Sequence, residues 1–143
     1  MRFKEFQIPN TTLTNIQIDE YANKLKIKHY IPHRMLDQVK GKAKTNECGI
    51  INLDKSSGPG THYVGYFKKG NDKIYIDSFG LKPPIEIINY LKSPILYSTF
   101  RIQKLDESNC GKYCLFILYQ LSKGDDFKDV IFSLLEERKT EGV

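Results

Sequence analysis

One helix of this chain is predicted to be buried on nearly every side. From Cys110 to about Ser122 the residues are apolar almost all round a helix, which is typical of a helix at the centre of a fold. The preceding segment, Lys104 to Asn109, is polar and is predicted to be a loop. Cys110 therefore stands at the first turn of a central helix, where partly positive backbone N–H groups favour its thiolate.

The size of the chain fits one globular domain. Its 143 residues suffice for one hydrophobic core and are too few for two domains of usual size, so we expect a single domain over 1–143. No run approaches the about 18 apolar residues of a membrane span. The start, Met1 to Glu5, carries no apolar signal-peptide segment. We expect a soluble, intracellular monomer that is not secreted and makes no membrane contact.

The number of cysteines and the net charge indicate the redox compartment and the possible partners of the protein. The three cysteines are an odd number without framework spacing, which predicts free thiols in a reducing compartment. The net charge is +5, with lysines concentrated at 24–28 and 40–44. This balance is compatible with a weak, salt-sensitive contact with nucleic acid, and equally with a solvated lysine-rich surface.

The first half of the chain is predicted to hold one helix and one buried strand. A helix is expected over Asp19–Leu25, with Asp19 as its N-cap. The polar stretch Lys28–Lys44 is interrupted by Pro32 and is expected to be irregular. Cys48–Leu53 is a short apolar run of strand length and predicts a buried strand.

A β-hairpin follows. The aromatic and β-branched runs His62–Phe67 and Lys73–Asp77 flank the turn-forming residues 69–72. Side chains alternate along a strand, so pairing across a two-residue or a four-residue loop leaves His62 and Asp77 on the same face. A two-residue loop at 69–70 sets them directly opposite, and a four-residue loop offsets them diagonally. Either register brings an imidazole within reach of a carboxylate.

The second half adds helices and one more strand. A helix is expected over Ile85–Leu91, with Pro84 at its first position, and a strand over Ile95–Gln103. A last helix is predicted from Asp125, with acidic residues at its start and basic residues near its end. Strands in the middle of the chain with helices around them predict an α+β fold.

Four residues can fill the roles of a cysteine hydrolase. Cys110 would attack a carbonyl carbon, His62 would exchange the proton, and Asp77 would hold the imidazole ring. The backbone N–H of Cys110 and the side-chain amide of Gln103 are candidate donors for the oxyanion. Taken singly, each has a plainer explanation: a buried thiol, a strand histidine, a turn cap and a solvated glutamine.

Taken in order, these residues resemble the adenovirus-type and Ulp1-like cysteine peptidases. The matching motifs are His62–Tyr63, Asp77–Gly80, and Gln103 placed seven positions before Cys110–Gly111. The resemblance extends over about Cys48 to Leu121. It implies a circularly permuted papain-like fold, in which helices flank a small mixed sheet and the nucleophile begins a central helix.

Two details resemble the viral branch of this superfamily more than the SUMO proteases: the seven-residue spacing and the Phe79–Gly80 pair after the acid. The viral branch implies maturation of capsid or core precursors, with cleavage after glycine, in the virion and in the cytoplasm, viral factory or nucleus of an infected cell. DNA or an activating peptide could then serve as cofactor. An isopeptidase acting on ubiquitin-like proteins and a non-catalytic binding module with a protease-like fold are the alternatives.

Three neighbours of the catalytic candidates are predicted to bind substrate. Tyr63 supplies an aromatic wall where the family usually has tryptophan, and Gly111 follows the nucleophile in the family motif. Asn109 could aim its own N–H into the oxyanion hole or cap the helix with its side chain.

The other histidines and cysteines are given structural roles. His29 and His33 are interpreted as surface or loop residues. Cys48 and Cys114 are expected to be buried core thiols. The paired Cys and His motifs of zinc sites are missing from the sequence, so no metal is expected.

Overall fold

The computed structural model describes residues 1–57, 62–104 and 107–141. Within these ranges five strands form one mixed sheet in the order β1-β2-β3-β4-β5. The outer pairs β1/β2 and β4/β5 are parallel, and the two inner pairs are antiparallel. The strands are β1 Tyr30–Met35, β2 Asn46–Asn52, β3 Tyr63–Lys69, β4 Asp72–Ile76 and β5 Leu96–Tyr97. The α-helices are α1 Asn15–Lys24, α2 Ile85–Leu91, α3 Cys110–Ser122 and α4 Phe127–Glu141.

Helices cover both faces of the sheet. Strand alternation sends Ile50 into the core that contains α1, α3 and α4, and its neighbour Ile51 into a second core against Ile87 of α2. Ten of the thirteen residues of α3 are buried, as its apolar sequence predicts. No helix in the described ranges is long and apolar enough to cross a membrane.

The predicted hairpin is confirmed as β3 and β4. Lys69 pairs with Asp72, so the loop consists of residues 70 and 71. Gly70 has a φ of 61°, the left-handed conformation that a tight hairpin turn demands at its first position. The loop is two residues shorter than in the four-residue alternative, but the register is the same. His62, just before β3, and Asp77, just after β4, are therefore offset diagonally.

Helix α1 begins earlier than predicted. Thr14 is its N-cap: the Thr14 hydroxyl accepts from the Gln17 N–H at 3.1 Å, and the Gln17 side chain accepts from the Thr14 N–H at 2.9 Å. This reciprocal capping box fixes the helix start, so the prediction of Asp19 as the N-cap is wrong. Asp19 lies inside the helix and is available for other contacts.

The stretch 28–44 is not irregular throughout, because it contains β1. A proline is tolerated in this strand since β1 is at the edge of the sheet, where an N–H can be spared. The ladder with β2 shifts register between Ile31 and Arg34, which places Pro32 and His33 in a bulge. The prediction that this segment lacks a strand is therefore wrong.

The strand predicted over Ile95–Gln103 is mostly absent, since only Leu96–Tyr97 pairs with β4. The chain then leaves the sheet and turns back. The N–H groups of Ile102 and Gln103 both donate to the carbonyl of Ser78, at 2.9 and 3.0 Å. The predicted helix Ile85–Leu91 is confirmed, although Pro84 is its N-cap instead of its first residue.

Candidate active site

A cavity of about 620 Å³ opens where α3 begins and where β2 ends beside the start of β3. Cys110, His62 and Gln103 all line it. The N-terminal segment 12–15 and residues of β1 complete its wall. The structure thus brings together predicted site residues that lie up to 48 positions apart in the chain.

Cys110 is the first residue of α3 and is 9% exposed. Its sulfur accepts the backbone N–H of Tyr63 at 3.4 Å and is also hydrogen bonded to His62 and to the Gly111 N–H. Burial alone would raise the pKa of the Cys110 thiol, but these hydrogen bonds and the charge of His62 outweigh it and lower the pKa below its ordinary value. Cys110 is the more nucleophilic for this, because a larger fraction is thiolate at neutral pH.

His62 connects the thiol to a carboxylate. Its Nε2 lies 2.8 Å from Oδ1 of Asp77, and its ring stacks on Phe79 with centroids 4.5 Å apart. Burial would lower the pKa of His62, but its hydrogen bonds to Asp77 and Cys110, with their charges, raise the pKa to about 9. Since Nε2 faces Asp77, Nδ1 is the nitrogen left for Cys110. An imidazolium and a thiolate therefore stabilise each other here.

Asp77 is held by a tight turn at the end of β4. Its Oδ1 also accepts the N–H of Phe79 at 2.9 Å, and its carbonyl accepts the N–H of Gly80 at 2.9 Å. Gly80 has a φ of 73°, and a Cβ there would lie 2.7 Å from the carbonyl oxygens of Thr99 and Phe100. A glycine is thus required for the turn that aims Asp77 at His62.

Gln103 is 1% exposed and its side chain is fixed at both ends. Its Oε1 accepts the Ser78 hydroxyl, and its Nε2 donates to the Glu107 carbonyl at 2.7 Å. An amide nitrogen carries two protons, and the hydrogen bonds of Nε2 to the described residues use one of them, so the other can serve a ligand in the cavity that Gln103 lines. This is the chemistry of an oxyanion donor.

Tyr63 and Gly111 form the support under Cys110. Tyr63 lines the cavity, is 6% exposed, and its hydroxyl lies 2.7 Å from Oδ1 of Asn15. A Cβ on Gly111 would lie 2.8 Å from Cδ1 of Ile18, so α1 approaches α3 closely only because this residue lacks a side chain. Their predicted contacts with substrate stay predictions.

Asn109 occupies the N-cap position of α3 and is 2% exposed. Its side chain makes no capping hydrogen bond, so that alternative is wrong. Its Nδ2 lies instead 3.5 Å from Oδ1 of Asn10 and from Oε2 of Glu107. The other alternative, a backbone N–H directed at an oxyanion, stays a prediction.

The two remaining cysteines differ from Cys110 in their surroundings. Burial, with the charge of Glu47, raises the pKa of Cys48 to about 12, and burial raises the pKa of Cys114 well above its ordinary value. Both are buried core residues, as predicted. Among the described residues no group of three or more His, Cys, Asp or Glu side chains could hold a metal ion.

One cavity residue escaped the sequence analysis. His33, in the bulge of β1, lines the same cavity as Cys110, and its Nδ1 lies 2.6 Å from Oδ2 of Asp19. The neighbouring Pro32 argues against a strand when the sequence is considered alone. Because edge strands tolerate proline, an edge strand at this position was the signal that could have placed His33 in the sheet. His29 is exposed in a loop, as predicted.

Comparison with known proteins supports the fold. No family model matches the chain, and no curated protein matches it. Solved structures do match, among them a crystal structure of the ASFV pS273R protease and a crystal structure of its Se-Met form. The first has a TM-score of 0.61 at 19% identity, and the second 0.59 at 20%. In each case the match covers 91% of this chain and 67% of the other.

The chain has the fold of a protease. The predicted α+β architecture is confirmed: a small mixed sheet, flanking helices, and a cysteine that begins the central helix. At 19–20% identity the likeness concerns the fold, and the chemistry has to be argued from this chain's own residues.

Proposed function

We propose that the chain is a cysteine endopeptidase with Cys110 as nucleophile, His62 as general base and acid, and Asp77 as the group that orients the imidazole. The observation that carries this proposal is the unbroken line of contacts from Asp77 through His62 to the Cys110 sulfur, at a cavity large enough for a peptide. The lowered pKa of Cys110 and the raised pKa of His62 support it.

In the proposed reaction the Cys110 thiolate attacks the carbonyl carbon of a peptide bond. The oxyanion that forms accepts hydrogen bonds from the backbone N–H of Cys110, which has no partner within the helix because it lies in the first turn, and from Nε2 of Gln103. His62 donates its proton to the departing amine, leaving a thioester. Water then attacks the thioester and gives a proton to His62, which releases the acid and restores the thiolate.

We further propose that the substrates are viral precursor or capsid proteins cut after glycine, in the virion or the infected cell. The support is the motif spacing from Gln103 to Cys110, together with the fold shared with the ASFV protease. A weak contact with DNA is proposed on the lysine content, to which the hairpin adds Lys68 opposite Lys73. An activating peptide is a second candidate cofactor.

A library of glycine-containing peptides, assayed with and without DNA, tests the proposed activity. The wild-type protein and the Cys114→Ala control should cleave a subset after glycine, and Cys110→Ala should cleave none. Stimulation by DNA should disappear at high salt. Cleavage by a folded Cys110→Ala protein would end the proposal.

The isopeptidase alternative shares this site and differs in its substrate. Probes built from SUMO, ubiquitin and NEDD8 separate the two, because each would label Cys110 only if the surface around the cavity binds that protein. Labelling by a probe with no cleavage of the peptides would favour the isopeptidase. Failure of probes and peptides alike, with slow alkylation of Cys110, would favour a non-catalytic binding module.

A further inference from the structure

We propose that His33, held by Asp19, forms a binding subsite that hydrogen bonds the substrate backbone about three to four residues from the scissile bond. The inference rests on the proposed peptidase function and adds to it a residue that determines how an extended substrate is held. It starts from a second histidine and carboxylate pair in the cavity that contains Cys110.

The His33 ring is fixed in place by contacts from α1. Asp19 accepts three hydrogen bonds: from the Tyr30 hydroxyl at 2.7 Å, from the His33 backbone N–H at 2.8 Å, and from Nδ1 of His33 at 2.6 Å. Backbone and ring are therefore bound to the same carboxylate. A ring held at two points loses little freedom when a ligand binds, which favours recognition.

The pair remains accessible from the cavity. The side chains of His33 and Asp19 are 29% and 23% exposed, and His33 lines the cavity. The hydrogen bonds of His33 to the described residues use Nδ1 and the backbone N–H. With Nδ1–H donated to Asp19, Nε2 of a neutral ring is an acceptor, and it suits the N–H of a peptide bond.

Strand register places this nitrogen relative to Cys110. Met35, Asn52 and Tyr63 lie side by side across β1, β2 and β3, and the Tyr63 N–H contacts the Cys110 sulfur. Two strand spacings separate β1 from β3, about 10 Å. His33 precedes Met35 by two positions on β1, and both line the cavity. An extended peptide advances about 3.3 Å per residue, and the offset along β1 adds to the strand spacing, so His33 is about three to four residues from the reacting carbonyl.

The cavity wall near this pair is polar. The uncharged side chains of Asn15, Gln38 and Asn52 line it together with His33. Apart from the Asp19 carboxylate, which is bound to His33, these groups offer hydrogen bonds without a fixed charge, which suits a peptide backbone.

The test compares His33→Asn with His29→Asn. Asparagine keeps a donor near the position of Nδ1, so it preserves the contact with Asp19 and removes Nε2. His29 is exposed and is outside the cavity lining, so its variant controls for loss of a histidine. The substrates are the best-cleaved glycine-containing octapeptide of the library and its truncated form with two residues on each side of the cut.

His33→Asn should raise KM for the octapeptide about fivefold to tenfold, the usual effect of one lost hydrogen bond, with little change in kcat. For the truncated peptide neither constant should change, and His29→Asn should behave as wild type on both. In a Cys110→Ala background, the octapeptide should shift the NMR signal of the His33 ring and the truncated peptide should not.

If His33→Asn raises KM equally for both peptides, the pair of His33 and Asp19 is merely structural and the subsite proposal is overturned. An unchanged KM for both peptides would overturn it as well. If the wild-type protein cleaves neither peptide, the peptidase proposal fails and the subsite fails with it. If the wild-type protein cleaves both and only the length dependence is missing, the subsite alone is wrong.

Discussion

Cys110 and Cys114 lie one turn apart on the same helix, yet their thiols have opposite chemistry. The pKa of Cys110 is lowered and that of Cys114 is raised well above its ordinary value. Burial acts on both in the same direction, since it disfavours a thiolate. The difference comes from the groups around each sulfur.

Cys110 receives N–H donors from Tyr63 and Gly111 and has the charge of His62 beside it. Cys114 is fully buried, and its thiol lies 3.5 Å from the Tyr63 carbonyl, to which it can only donate. The comparison teaches that a helix position does not activate a thiol by itself. The first turn supplies donors, and a partner histidine must supply charge.

Removing the charge of His62 should have the largest effect on the difference between the thiols of Cys110 and Cys114. His62→Ala leaves Cys110 buried with backbone donors alone, so its pKa should rise towards that of an inert thiol. Peptide hydrolysis should fall by about 10⁴-fold or more, because base and acid are lost together. Steady-state kinetics and circular dichroism would measure rate and fold. Substantial activity in a folded variant would contradict the role given to His62.

Asp77→Asn should have a smaller effect, about 10² to 10³-fold on kcat, because the carboxylate orients and stabilises the ring without attacking substrate. The pKa of His62 should fall from about 9, since Asp77 is the first of the groups that raise it. NMR titration of the His62 ring follows this shift. An unchanged His62 pKa would show that Asp77 does not stabilise the imidazolium.

Gln103→Leu should separate thiol activation from catalysis. Loss of one oxyanion donor should lower kcat by about 10²-fold. Alkylation of Cys110 by iodoacetamide forms no oxyanion, so its rate should stay the same. Ser78→Ala, which removes only the hydroxyl that fixes Oε1 of Gln103, should reduce kcat by about threefold to tenfold. Parallel losses in alkylation and hydrolysis would argue against an oxyanion role for Gln103.

The sequence predicts the catalytic end of the fold better than its edges. The apolar spacing after Cys110 and the turn chemistry at Gly70 are strong local signals, and both elements form as expected. The pairing of His62 with Asp77 follows from strand alternation alone, because either register leaves them on one face.

The edges were less predictable because tertiary contacts decide them. Pro32 argues against a strand when only the local sequence is considered, yet a bulge in an edge strand accommodates it. The local sequence predicts Asp19 as a helix cap, yet the Thr14 capping box starts the helix earlier. Asp19 is therefore available to bind His33. Local preference could not reveal this second pair, since its two members meet only when α1 docks against β1.

The most direct test of the central claim is the pH dependence of iodoacetamide alkylation at Cys110 and Cys114 in the folded wild-type protein. A lowered pKa keeps Cys110 as thiolate below the ordinary cysteine pKa of about 8.5, and reactivity is lost only as pH falls through the lowered value. Hydrolysis should share this acid limb and should also decline above about 9, where His62 loses its proton.

Mass spectrometry after brief labelling at pH 6 should find the alkyl group on Cys110, with Cys114 and Cys48 unmodified. Cys110 that reacts at pH 6 no faster than an ordinary thiol, and gains reactivity only above pH 8, would contradict the account.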